Sequence, residues 1–157
     1  MRRRGMVDTR RMTSSDLPRI AEIQAHSPEA AHWKPEDYLH HQCWVAESGP
    51  VLAGFLVLRE TAPGEAEILN LAVDPACRRQ GVAAALLRAA SLHRFERVFL
   101  EVRESNAAAR ALYAAFGFIG SGVRPNYYAC PNEAGIVMKL QKWYGLGDEG
   151  PTGPPDV

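Results

Sequence analysis

At 157 residues, with 18 lysines and arginines balanced by 18 acids, the chain is sized for one domain with a real core, and it has no net charge to draw it to nucleic acid or an anionic membrane. Its three cysteines, Cys43, Cys77 and Cys130, are odd in number and lie outside any C-x-x-C pair, which favours free thiols in a reducing compartment over a disulfide framework. No apolar run reaches a membrane span, and the basic start (Arg2, Arg3, Arg4) runs into Asp8, Thr9 and Arg10 instead of a signal-like apolar region, so a cytoplasmic protein with a solvated terminus is expected.

In chain order, Val7 to Met12 reads as a first strand, and Thr13 and Asp16 form a T-x-x-D start for a helix whose apolar face is Leu17, Ile20, Ala21 and Ile23. Residues 26–34 show little periodicity, and Pro35 then opens a short helix to His40. Cys43–Glu47 and Val51–Arg59 read as a hairpin around Ser48, Gly49 and Pro50. Ile68–Val73 is a further strand, ended by Asp74 and Pro75, and the Ala and Leu content predicts a helix from Gly81 to about Phe95. Val98–Val102 is a strand, Ser105 or Asn106 caps a helix running to Phe116, and Gly117 stops it. Phe118–Val123 and Ile136–Leu140 close the pattern. Strands alternating with helices predict an α/β fold with a mixed sheet and helices on both faces. The expected domain is 1–144, and the Gly, Pro, Asp and Glu of 145–157 form an expected flexible tail.

The segment Ile68-Leu-Asn-Leu-Ala-Val-Asp-Pro-Ala-Cys-Arg-Arg-Gln-Gly-Val-Ala-Ala-Ala-Leu-Leu87 carries the most chemistry. A buried strand breaks at Asp74-Pro75, a basic turn follows, and Gly81 and Ala83 open a helix with side chains too small to obstruct a ligand. Amides at a helix start lack intrahelical partners and the end carries about half a positive charge, so a pyrophosphate suits the place. Neither G-x-x-x-x-G-K-[ST] nor G-x-G-x-x-G after a strand occurs, which leaves R-x-x-G-x-A, Arg78 to Ala83. By itself that pattern is as compatible with an ordinary turn before an Ala-rich helix.

Between this strand and this helix, the pattern resembles motif A of the GNAT superfamily of N-acetyltransferases. Leu100-Glu-Val-Arg-Glu-Ser-Asn-Ala-Ala-Ala-Arg-Ala-Leu-Tyr-Ala-Ala-Phe-Gly-Phe118, followed by Arg124-Pro-Asn-Tyr-Tyr128, is similar to the RimI branch, the ribosomal-protein N-terminal alanine acetyltransferases. The likeness is nearly continuous from Glu65 to Leu140. It implies a GNAT fold of six to seven strands in which splayed parallel strands bind acetyl-CoA as cosubstrate, without a metal. It also implies acetyl transfer by direct attack of the amine, and Cys77 and Cys130 have no adjacent base that would make them nucleophiles.

Carried over by resemblance, the strand at Leu71, Ala72 and Val73 runs beside the pantetheine arm and acetyl group. The turn of Arg78, Arg79, Gln80, Gly81, Val82, Ala83 and Ala84 holds the pyrophosphate, and Asn106 bonds the pantetheine. Tyr113 stands on the core-facing stripe of Ala109, Leu112 and Phe116, where a tyrosine is ordinarily an anchored aromatic; the resemblance makes it the general acid for the leaving thiolate. An unperturbed phenol of pKa about 10 donates to a thiolate of about 8.5 only mildly uphill. Glu101, alone among Val98, Phe99, Leu100 and Val102, belongs either to a solvated face or to a site, and by resemblance it is the base. Glu67 is a rival base, read from its position as a charged strand terminus. Trp33, and Tyr127 and Tyr128 in a Pro-rich turn, are candidate acceptor contacts.

The segment Ser27-Pro-Glu-Ala-Ala-His-Trp-Lys-Pro35 departs from the branch, which often carries Phe-Pro and then Trp-Ser here; only Trp33 answers to it. The expected acceptor is a protein N-terminus, that of a ribosomal protein by resemblance. Lysine or a small amine is the alternative, and a CoA-binding module without turnover is a third reading, opposed by the presence of both Glu101 and Tyr113. A monomer or weak homodimer without nucleic-acid or membrane partners is expected.

Overall fold

The computed structural model describes residues 6–31, 33–128 and 132–142. Among them run β1 (Val7–Arg11), α1 (Leu17–Ala25), β2 (Gln42–Ser48), β3 (Val51–Ala62), β4 (Glu65–Val73), α2 (Val82–Ala89), β5 (Arg97–Arg103), α3 (Ala107–Ala115), β6 (Ile119–Tyr128) and β7 (Glu133–Gln141). The strands form one mixed seven-stranded sheet in the order β1-β2-β3-β4-β5-β7-β6. No described helix is long and apolar enough to cross a membrane. Arg2–Arg4, Cys130 and the 145–157 tail lie outside the described residues.

Two compact units divide the chain, Met1–Arg59 with Ile68–Leu92 and Glu60–Glu67 with His93–Val157. In the first, the T-x-x-D signal acts as predicted: the Thr13 N–H donates to Asp16 Oδ2 at 2.8 Å, and Arg10 grips the same carboxylate with both terminal nitrogens at 2.8 Å. Helix α1 then lays Ile20 and Ile23 against Tyr38, Cys43, Val45, Phe55, Val57 and Ala72. The hairpin of β2 and β3 turns at Gly49, whose φ of +63° suits glycine. A register shift there skips Ala53, and the Ala53 carbonyl accepts from the Asp74 N–H at 2.7 Å, which fixes the end of β4.

In the second unit β7 pairs antiparallel with both β5 and β6. Helix α3 ends as the sequence predicts. Gly117 takes φ +96°, its N–H donates to the Ala114 carbonyl, and the Phe118 N–H donates to that of Tyr113, the paired bonds of a Schellman stop.

Three expectations change. Helix α2 ends at Ala89 instead of near Phe95, because Ser91 takes φ +50° and a short 3-10 turn at Leu92–Arg94 buries Leu92 and Phe95. Strand β4 begins at Glu65, so Glu67 lies inside it and not at a terminus. Tyr127 and Tyr128 belong to β6, not to a turn. That strand is last in the sheet order, where a proline costs no ladder bond, and its register shifts between Arg124 and Tyr128.

Candidate functional site

In the first unit the break after β4 is held by Asp74. Its Oδ1 accepts from the Ala76 N–H at 2.9 Å and its Oδ2 from Arg19 at 2.6 Å. The backbone bond first, and then the guanidinium, hold this carboxyl below its ordinary range. Beyond it the chain takes left-handed backbone at Arg79 and again at Gly81, with φ of 65° and 75°. Alternations of this kind can aim successive N–H groups at an anion.

Gly81 caps α2 with no side-chain bond, and the first helical acceptor, its own carbonyl, is used by Ala85. The amides of Val82, Ala83 and Ala84 therefore have no intrahelical acceptor. A β carbon built on Gly81 meets nothing within 4 Å, so the approach is open. Val82 and Ala84 are buried and seat the helix, while Ala83 is half-buried. Gln80 Oε1 accepts from Ser48 Oγ at 2.7 Å, and Arg78 pairs with Glu29. Of the adjoining strand residues Ala72 is buried, and Leu71 and Val73 are half-buried. A β carbon on Gly54 would lie 2.8 Å from the Ala72 carbonyl oxygen, so only a glycine fits here without a shift of β3 or β4. Trp33, in the same unit, is 46 % exposed, with its carbonyl held by Gln24 Nε2 at 2.5 Å.

In the second unit a cleft of about 340 Å³ is lined by Thr61, Glu65, Glu67, Phe99, Glu101 and Arg124, among others. Strand β5 turns Val98, Leu100 and Val102 into the core, which puts Glu101 on the opposite face. That face is not open solvent: the Glu101 side chain is 16 % exposed. Its Oε1 is ion-paired with Arg124 Nε at 3.1 Å, while Oε2 is buried with no hydrogen-bond partner among the described residues. The Arg124 guanidinium also lies over the Tyr127 ring, 5.3 Å from its centroid. Tyr127 meets Tyr128 edge to face at 5.0 Å, and its phenol is raised chiefly by the neighbouring Glu101 carboxylate. Tyr128 carries the Arg103 guanidinium over its ring at 4.4 Å, and burial pushes its phenol up to about 12.

Tyr113 is 6 % exposed and packs edge-on against Phe118 with ring centroids 5.6 Å apart. Burial, with a smaller contribution from Tyr128, lifts its phenol well above the ordinary value of 10. Proton donation from it is therefore steeper than an unperturbed phenol suggests. Asn106 Oδ1 accepts from the Ala109 N–H at 3.2 Å, so its carbonyl caps α3 and its amide hydrogens are what it has to offer a ligand.

The structure thus gathers Glu101, Tyr127 and Tyr128, and it gathers residues 78–84 at the start of α2. Sequence reasoning passed over Arg124, although it stands in the quoted Arg124-Pro-Asn-Tyr-Tyr128 run. It also passed over Asn70, a lone amide in the apolar run of β4, the same kind of signal that drew attention to Glu101.

The chain is similar to known proteins over most of its length. Residues 9–118 match the Acetyltransferase (GNAT) family. The chain is 37 % identical over 141 residues to the N-alpha-acetyltransferase RimI of Mycobacterium tuberculosis, covering 82 % of this chain and 88 % of that one. It is 34 % identical over 143 residues to the [ribosomal protein bS18]-alanine N-acetyltransferase of Escherichia coli, covering 82 % and 93 %. The crystal structure of the ribosomal-protein-S18-alanine N-acetyltransferase from Escherichia coli superposes with a TM-score of 0.75 at 30 % identity, over 87 % of this chain and 94 % of that one. The chain belongs to the acetyltransferase (GNAT) family, as a RimI-like, acetyl-CoA-dependent N-acetyltransferase.

Proposed function

We propose that the chain acetylates the α-amino group at a protein N-terminus by direct attack on acetyl-CoA, with Glu101 as base and Tyr113 as acid. The observation that carries this reading is the Glu101 carboxylate, with one oxygen tethered to Arg124 and the other buried and unpartnered in a cleft. A buried acceptor lacking a donor is a place for an amine N–H. Glu67 lines the same cleft and is the alternative base.

Acetyl-CoA supplies the activated acetyl group, and the chain supplies grip and proton transfer. The backbone amides from Arg79 to Ala84, with the Arg78 side chain beside them, bind the pyrophosphate. The main chain at Leu71, Ala72 and Val73 and the Asn106 amide hold the pantetheine arm. Tyr113 protonates the departing thiolate. Trp33, Tyr127 and Tyr128 contact the acceptor.

An α-amine of pKa about 7.8 is roughly one-seventh neutral at pH 7, whereas a lysine near 10.4 is neutral in about four parts in ten thousand. The difference, about 3.5 kcal/mol, is help that Glu101 need not supply to an N-terminal acceptor. The relatives named as ribosomal protein bS18-alanine N-acetyltransferases support a ribosomal amino terminus as that acceptor. The 27–35 segment, whose spelling departs from that branch, is the part of the chain that bears on acceptor choice. Mass spectrometry of the purified protein with acetyl-CoA and peptides beginning in Ala, Ser or Met, beside polyamines and internal-lysine peptides, tests the reading. Acetylation of the α-amine of an Ala- or Ser-initiated peptide is expected, and modification confined to lysine or polyamine would replace it with the alternative.

A further inference from the structure

Asn70 is 5 % exposed in the middle of β4 and has no part in the chemistry above. Its amide nitrogen donates to the Ala31 carbonyl at 2.8 Å and to the Tyr38 hydroxyl at 3.1 Å. Tyr38 in turn donates to Gln24 Oε1 at 2.5 Å, and Gln24 Nε2 donates to the Trp33 carbonyl at 2.5 Å. The donors all run one way, from the strand to two carbonyls of the segment between α1 and Pro35. Bonds aligned in this way polarise one another, and at low dielectric each member is costly to leave unpaired.

Burial holds the Tyr38 phenol up to about 12, so it remains a donor at any working pH. Gln24 and Tyr38 are buried as well, at 6 % and 1 % exposure. Apolar side chains would fill this space without holding either carbonyl. What the three polar groups add is one arrangement of the segment that ends in the exposed Trp33 ring.

We propose that Asn70, Tyr38 and Gln24 form a positioning relay that sets acceptor affinity by fixing the main chain at Ala31 and Trp33 and so the Trp33 ring. The proposal rests on the acceptor-side reading of that segment, and none of the three residues touches the reacting atoms.

Two near-isosteric variants test it. Asn70→Asp replaces the donors with an acceptor, and Tyr38→Phe removes the hydroxyl and keeps the ring. With an Ala-initiated peptide, each is expected to raise the acceptor KM about fivefold, the worth of one lost neutral hydrogen bond, while kcat and the acetyl-CoA Kd stay within about twofold. Hydrogen exchange over residues 26–34, which needs no acceptor, is expected to quicken about tenfold or more in both variants relative to β3. Combining Tyr38→Phe with Trp33→Ala is expected to raise KM no further than Trp33→Ala alone. Unchanged exchange, an unchanged acceptor KM in Tyr38→Phe, or an equal rise in the acetyl-CoA Kd would overturn the relay. If no α-amine is acetylated while exchange quickens, the N-terminal reading fails and the anchoring of the segment stands. If Trp33→Ala is silent but Tyr38→Phe raises KM, the relay stands and Trp33 leaves the acceptor site.

Discussion

Glu101 enters its cleft with one oxygen tethered to Arg124 and the other bare, and this asymmetry makes its role measurable. In Glu101→Gln the ammonium must lose its proton without help, and its neutral fraction falls tenfold per pH unit below its own pKa. The rate loss is therefore expected to be greatest at low pH and to narrow toward the pKa of the amine, as a pH series of kcat/KM will show. A loss equal at every pH moves the base role to Glu67. For Tyr113→Phe, turnover is expected to fall at least about tenfold with the acetyl-CoA Kd nearly unchanged by calorimetry, and unchanged turnover removes Tyr113 as the acid. The alternation of β5 shows that Glu101 opposes the core but leaves open whether that face is wet. What covers it, Arg124 and Tyr127, comes from more than twenty residues downstream, beyond the reach of any local pattern. Burial of Tyr113, by contrast, follows directly from its helical stripe.

Capping and turn chemistry are the most legible parts of the elements. The T-x-x-D signal holds because Asp16 closes on the amide only three residues before it. Arg10 above all, then the Thr13 amide, keep its carboxyl below the ordinary 3.8. A lowered folded-state pKa means stability that is complete above the unfolded value and is lost as pH falls through the folded one. Asp16→Asn is thus expected to unfold more easily than the parent by about 1–2 kcal/mol at pH 7, with the two denaturation curves converging once the pH falls well below 3.8. Gly54→Ala sets a methyl against the Ala72 carbonyl and Val82, and urea melts are expected to show a loss of about 1–3 kcal/mol. Less legible were ends decided by tertiary burial. Ala and Leu content carries α2 on toward Phe95, yet burial of Leu92 and Phe95 goes with a break at Ser91. Pro125 reads as a turn signal, but at the last strand of the sheet its missing N–H costs nothing and β6 continues.

At the scale of the whole molecule, a formal charge of zero means that the overall field supplies no attraction for an anionic cosubstrate, which must be met by a local patch. Binding to the folded state alone raises stability by about 2.7 kcal/mol at a hundredfold excess over Kd. For a chain of this size that is a rise of roughly 5–11 °C in Tm, readable by thermal shift with acetyl-CoA. Gly81→Ala, which forces a β carbon into left-handed backbone, is expected to shrink that rise more than it lowers the Tm of the free protein. Strand, turn and helix of motif A were readable because each is contiguous. The 27–34 segment was not, since its anchors come from α1, from the turn before β2 and from β4. Strand β4 divides its duties: its side chain at Asn70 reaches the segment between α1 and Pro35, while the proposed contact of Leu71–Val73 with the cosubstrate is through the main chain. On the proposed roles, a substitution at Asn70 is expected to change the acceptor KM and leave the cosubstrate contacts intact, because a peptide backbone has no side-chain identity to lose.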